Sequence, residues 1–125
     1  MENKKRILVV EDEQALAKAI IAKFENSGFE VFWAQNGEEC LNVAFEQHPD
    51  LILLDIIMPK MDGITALNKL RSDTWGKNVP IIMLTNLSSA EDVDMATKNG
   101  VFDYLIKSDW KLEDVVKKVS EKLRA

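Results

Sequence analysis

The chain has little with which to bind a transition metal or to cross-link itself: one cysteine, Cys40, and one histidine, His48. A lone thiol cannot build a disulfide framework, and one residue of each kind cannot supply a Cys/His zinc site. A reducing, cytoplasmic compartment is the expectation that follows. No apolar run approaches the ~20 residues that a spanning helix needs, so no membrane insertion is expected. The N-terminus, MENKKRILVVEDE, passes from charge through a short apolar run to acids, unlike a secretion signal. Basic charge is also scarce, with 16 Lys and Arg against 21 Asp and Glu and a net charge of -5. The cluster Lys4 to Arg6 reads as a solubilising edge, and without a Lys/Arg stripe no direct nucleic-acid contact is expected. Repeats, low-complexity tracts and linkers are missing as well. At 125 residues the chain is expected to be one domain, 1–125, with no output domain attached.

Two kinds of segment alternate along it. RILVV (6–10), FEVFWA (29–34), LILLD (51–55), PIIMLT (80–85) and FDYLIK (102–107) are short and rich in β-branched or aromatic residues, which predicts five strands. Between them apolar residues recur at helical spacing: Ala15, Leu16, Ala19, Ile20 and Phe24; Leu41, Ala44 and Phe45; Ile64, Leu67 and Leu70; more weakly Val93 and Ala96 over about 89–99; and Leu112, Val115, Val116, Val119 and Leu123. Asn36 with Glu39 has capping-box form, Ser88 or Ser89 and Asp109 are candidate N-caps, and Gly28 and Gly100 fall where helices should stop. Fivefold βα alternation with nearly continuous apolar strands implies an α/β fold. Its parallel sheet is doubly wound and covered by helices on both faces.

In such sheets the functional crevice lies beyond the carboxyl ends of the strands. Strand one is followed by Glu11, Asp12 and Glu13; strand three ends in Asp55, strand four in Thr85 and strand five in Lys107. Glu13 is assigned to the opening of the first helix, where its charge suits the dipole. If strands one and three are neighbours, as in the order 2-1-3-4-5, then Glu11, Asp12 and Asp55 converge. Crowded carboxylates repel unless a cation neutralises them, and oxygen-only ligands suit Mg²⁺. A hydroxyl and an ammonium at two further strand ends are what a phosphoryl group needs, with Asp55 as nucleophile forming an acyl phosphate.

ILVVEDE, LILLDIIMPKMDG, IIMLT and FDYLIK, in this order and spacing, resemble the response-regulator receiver domains of two-component signalling. The resemblance covers essentially the whole chain and is similar to the stand-alone chemotaxis regulators. The order 2-1-3-4-5, flavodoxin-like with five helices, is that family's own and is taken from the resemblance. It implies that Asp55 accepts a phosphoryl group from a sensor histidine kinase or phosphotransfer protein. It also implies that Asp12, Asp55 and the backbone carbonyl of Ile57 hold Mg²⁺, with Glu11 acting through water. Lys107 and Thr85 would meet the phosphoryl oxygens, and Tyr104 would change rotamer with Thr85, switching the helix 4/strand 5/helix 5 surface toward a protein target. Such a domain is no enzyme in its own right but assists its own phosphorylation and dephosphorylation, as a monomer or a weak phosphorylation-dependent homodimer. Pro59 and Gly63 match the loop after the acceptor.

Two positions depart from the family pattern. Ser108 stands where Pro usually follows the lysine in a cis bond, and Asn86 stands where a small residue usually follows the threonine. Ile57 and Leu87, each two residues beyond a key position, are apolar and offer nothing to orient an attacking water, so slow self-dephosphorylation is expected. Trp33 and Trp75 are assigned to packing or partial exposure, Trp110 to local packing at a helix start in preference to an edge of the helix 4/strand 5/helix 5 surface, Met58 and Met61 to loop packing, and His48 to the surface. A flavodoxin would need a phosphate loop where EDEQ stands, and a haloacid-dehalogenase-type phosphatase would need a second Asp at Ile57. The alternative that stays open is a receiver-like scaffold that docks partners without phosphorylation, motivated by Ser108.

Overall fold

The computed structural model describes residues 4–86, 90–101 and 103–124. Five parallel strands, β1 (Arg6–Val10), β2 (Glu30–Ala34), β3 (Leu51–Leu54), β4 (Ile81–Thr85) and β5 (Asp103–Ile106), form one sheet in the order β2-β1-β3-β4-β5. The helices between and after them are α1 (Gln14–Asn26), α2 (Gly37–Gln47), α3 (Gly63–Arg71), α4 (Ala90–Lys98) and α5 (Leu112–Arg124). A single 3-10 turn, Lys107–Asp109, joins β5 to the segment before α5.

Strand alternation divides the core in two. Leu8, Val10, Ile52, Leu54, Ile81 and Met83 face a cluster with Cys40 and Ala44 of α2, Leu67 and Leu70 of α3 and Ala96 of α4. Their neighbours Ile7, Val9, Leu51, Leu53, Ile82 and Leu84 face Ile20 and Phe24 of α1 and Val115, Val116 and Val119 of α5. Successive strand residues point to opposite faces, so strands apolar at every position require a helix layer on each side. This is why β1, β3 and β4 read as unbroken apolar runs.

Several boundaries differ from the sequence reading. β2 starts at Glu30, and Phe29, though buried, lies outside the ladder and packs edge-on against Phe24 with ring centroids 5.5 Å apart. Pro80 has no N–H to donate, so β4 begins after it, although its carbonyl accepts from Ile52 N–H at 3.0 Å. Asp55 and Lys107 stand just past β3 and β5. In α1 the buried stripe runs through Ala17, Ile20 and Phe24, leaving Ala15 and Ala19 exposed. In α2 the buried position belongs to Cys40 and not to Phe45, which is 39% exposed and meets the Trp75 ring edge-on.

Asp109 does not cap α5. Residues 107–109 are spent on the 3-10 turn and Trp110 is extended, so α5 opens later, with Asp114 and Val115 N–H bonded to the Lys111 carbonyl. Asn36 does cap α2, accepting from Glu39 N–H at 2.9 Å; Glu39 in return accepts from Gln35 N–H, one residue earlier than a regular capping box has it. Gly28 (φ 92°) and Gly100 (φ 71°) follow α1 and α4 in the left-handed conformation that ends a helix without a Cβ clash. Ser88, Ser89, Leu87 and the Phe102 start of the fifth strand segment lie outside the described residues. Among the described residues, no helix is long and apolar enough to cross a membrane.

Candidate functional site

Because β1 and β3 are adjacent, the residues just past their carboxyl ends come together. Asp55 N–H still donates to the Val10 carbonyl at 3.3 Å, and Glu11 N–H to the Ala34 carbonyl at 3.0 Å, so both acids are placed by the last rungs of the sheet. Glu11 is 3% and Asp55 6% exposed, whereas Asp12 faces solvent. One carboxylate oxygen from each of the three lies within 4.8 Å of the others. These are hard oxygen donors with no sulfur or imidazole among them, a set that fits a divalent cation of the Mg²⁺ type.

The positive charge in this pocket comes from Lys107. Its ammonium donates to Glu11 Oε1 at 2.5 Å and to Asp55 Oδ2 at 2.8 Å. Burial pushes the Glu11 carboxyl above the usual carboxylate range, against the opposing pull of the Lys107 hydrogen bond and the Glu13 amide. Burial acts on Lys107 in the other direction, disfavouring its charge, but the hydrogen bonds to Asp55 and Glu11 outweigh it and raise its pKa. Thus the ion pair secures the ammonium while only partly offsetting the burial of Glu11.

Thr85 ends β4 and is fully buried; Tyr104, opposite Met83 on β5, is half-buried against the core layer that α2, α3 and α4 cover. The Ile57 side chain is 59% exposed, and Met58 is buried. The intervening loop is tightly closed: Gly63 N–H donates to the Ile56 carbonyl at 2.8 Å, and Met61 N–H to the Pro59 carbonyl at 2.8 Å across Lys60, whose φ is 67°. A Cβ on Gly63 would stand 1.9 Å from the Asp55 carbonyl oxygen, so only glycine lets α3 begin there. The Lys107–Ser108 peptide is trans, and Lys107 reaches Asp55 from it.

A model of the response regulator receiver domain matches residues 7–120. The chain belongs to that family. Of solved structures, a receiver domain protein from Methanospirillum hungatei superposes with a TM-score of 0.90 at 30% identity, covering 98% of this chain and 95% of the other. A phosphorylated cyanobacterial phytochrome response regulator, RcpA, gives 0.84 at 30% identity, covering 95% and 93%. Among curated relatives, the DNA-binding transcriptional regulator RpaA of Synechocystis is 34% identical over 119 residues, covering 95% of this chain and 49% of its own. This receiver domain spans about half or less of the length of the curated relatives it matches.

The receiver fold thus brings five of the sequence candidates, Glu11, Asp12, Asp55, Thr85 and Lys107, to one end of the sheet. Two contacts escaped the sequence reading. The Trp33 indole N–H donates to the Glu11 carbonyl at 2.8 Å, and Gly37 N–H donates to the Met61 carbonyl at 3.0 Å. The first was signalled only by a tryptophan one residue from the end of a strand beside β1. The second was signalled by a glycine inside a capping sequence that would have accepted any residue.

Proposed function

We propose that this receiver domain takes a phosphoryl group on Asp55 from a histidine kinase or phosphotransfer protein and passes the change to a protein target. The observation that supports this best is the Lys107 ammonium, bound at once to the buried Asp55 and Glu11 carboxylates at the open end of the sheet. An Asp55 oxygen attacks phosphorus, the bond from phosphorus to the donor's leaving atom breaks, and an acyl phosphate forms. Lys107 then has phosphoryl oxygens to bind as well as carboxylates, and Thr85 donates its hydroxyl to one of them. Asp12, Asp55 and the Ile57 carbonyl would hold Mg²⁺, with Glu11 acting through water. Bound there, the ion would neutralise charge that builds up on the transferring group. The chain's own role is that of an acceptor assisting its own modification and its reversal, not of an enzyme acting on another substrate.

The switch follows from the same residues. A hydroxyl drawn toward Asp55 would leave space beside β4 for Tyr104 on β5 to fill, which would shift a two-state balance at the surface of α4, β5 and α5. With a net charge of -5, the domain's own surface suits a protein partner better than nucleic acid. Ser108 gives no support to a phosphorylation-independent scaffold, because Lys107 reaches Asp55 without a proline beside it. The test is intact mass after incubation with acetyl phosphate and Mg²⁺. Gain of one phosphoryl group, lost in Asp55→Asn and with EDTA, is the expected result; no gain in any sample would refute the proposal.

A further inference from the structure

We infer that Trp33 is a positioning residue for the acid pocket: its indole N–H holds the main chain of Glu11 and so sets where the Glu11 and Asp12 carboxylates stand. The consequence for Mg²⁺ rests on the receiver chemistry proposed above. The β1–β2 ladder ends at the pair Val10 and Ala34, with Glu11 N–H making one further bond to the Ala34 carbonyl. Beyond that point the chain after β2 turns into α2: Gln35 N–H bonds to the Glu39 carboxylate at 3.1 Å, and Asn36, whose N–H would come next in a parallel ladder, is the helix cap. The Glu11 carbonyl, next in line for a strand partner, receives the indole N–H of Trp33 at 2.8 Å instead.

Every polar atom of Glu11 then has a partner. Its N–H and carbonyl are tied to β2, Oε1 accepts from Lys107, and Oε2 accepts from Glu13 N–H at 3.2 Å. The bond from Glu13 back to Glu11 spans Asp12, so the turn that presents Asp12 to solvent is built on a Glu11 held at its main chain and at both carboxylate oxygens. Indole is suited to this position because it is a donor with no acceptor. It satisfies the carbonyl without competing with the carboxylates for a cation or for Lys107.

The experiment compares the full chain with Trp33→Phe, which keeps an aromatic body and loses the N–H. Trp75→Phe is the control, removing an indole that stacks on His48 with centroids 4.5 Å apart. Three quantities are read: amide exchange of Asp12 and Glu13, Mg²⁺ affinity from the shifts of those amides, and phosphorylation by acetyl phosphate at saturating Mg²⁺. In Trp33→Phe, Glu13 exchange should quicken and the Mg²⁺ Kd rise by roughly three- to tenfold, the scale of one hydrogen bond. The rate at saturating Mg²⁺ should stay near wild type, and Trp75→Phe should change none of the three. Unchanged exchange and affinity in Trp33→Phe, or equal changes in the control, would overturn the inference. Should Trp33→Phe not fold, benzothienylalanine at position 33, with sulfur in place of N–H, is read by the same criteria. A wild type that neither binds Mg²⁺ nor gains a phosphoryl group would remove the receiver chemistry alone; Glu13 exchange then decides the tether, with unchanged exchange overturning it.

Discussion

Replacing Lys107 by methionine leaves Glu11 and Asp55, 3% and 6% exposed, without the ammonium that binds both. Removing one partner of a buried ion pair costs about 3–5 kcal/mol. Here the loss has a ceiling, because a carboxyl can escape by taking a proton. At pH 7 that costs about 1.36 kcal/mol for each unit above the ordinary glutamate value near 4.3, or roughly 3.7 kcal/mol. Lys107→Met should therefore unfold in urea with a stability lower by about 2–4 kcal/mol at pH 7 without divalent ions. Added Mg²⁺ should recover part of the difference in proportion to its occupancy of the native state.

The pH dependence has a definite sign. Glu11 already has its carboxyl raised by burial, and loss of Lys107 removes a group that lowers it. Between the ordinary value and the raised one, the native variant binds more protons than the unfolded chain, so its stability rises as pH falls. In the wild type the raised Lys107 pKa keeps the ammonium charged throughout that range. The gap between the two proteins should narrow from pH 7 to pH 5. A variant as stable as wild type at pH 7 without divalent ions, or a gap that does not change with pH, would refute the reasoning.

Cys40 is fully buried and its thiol is pushed up to about 12 by desolvation, so an aromatic disulfide reagent should label it only after unfolding. Since the unfolded thiol ionises first, this residue's contribution to stability should decline as pH rises from about 9 toward 12, measured against Cys40→Ala. Arg71 donates to the carbonyls of Asn99, Gly76, Val79 and Gly100, joining the end of α4 to the α3–β4 connection. Arg71→Met should cost about 2–4 kcal/mol in urea unfolding, and Arg71→Lys should recover less than half, because an ammonium cannot reproduce the forked donor set. A lysine variant as stable as wild type would count against that account. If Asp55 is phosphorylated as proposed, Ile57→Asn should shorten the life of the acyl phosphate, followed by the decay of the mass increment, by giving water a polar side chain; an unchanged half-life would dismiss the role assigned to this position.

The two helix layers and the polar strand ends were legible in the sequence from period and position, whereas the strand order that brings Glu11, Asp12 and Asp55 together came from the resemblance to receiver domains. The unbroken apolar runs 7–10, 51–54 and 81–84 in β1, β3 and β4 demanded two helix layers, and polar residues at the ends of those runs had to face the crevice. What was not legible depends on which of several similar residues a packed neighbour selects. Cys40 and Phe45 both suit a buried helical position, and Trp75 meets Phe45 outside the core. Asp109 has the right chemistry for a cap, but local sequence does not reveal that the chain needs a 3-10 turn to bring Lys107 to the pocket. The Trp33 tether joins residues 22 apart in sequence, and only the β1–β2 register places them together.

The backbone around Asp55 also explains the direction in which a change there must travel. On the side of α2 and α3 it is locked: Gly63 sits where no Cβ fits against the Asp55 carbonyl, and Gly37 is held to the Met61 carbonyl with its own missing Cβ only 2.5 Å from that oxygen. On the other side Thr85 ends β4, and Lys107, just past β5, binds Asp55 and Glu11. A phosphoryl group added to Asp55 would bring negative charge beside a backbone that these glycine contacts hold close. In the proposed chemistry the response is directed to β4 and β5 through Thr85, Lys107 and Tyr104. Gly37→Ala, whose Cβ would press on Met61, should weaken that directionality: amide shifts on phosphorylation should then spread into α2 and α3, and shifts still confined to β4 and β5 would count against the argument.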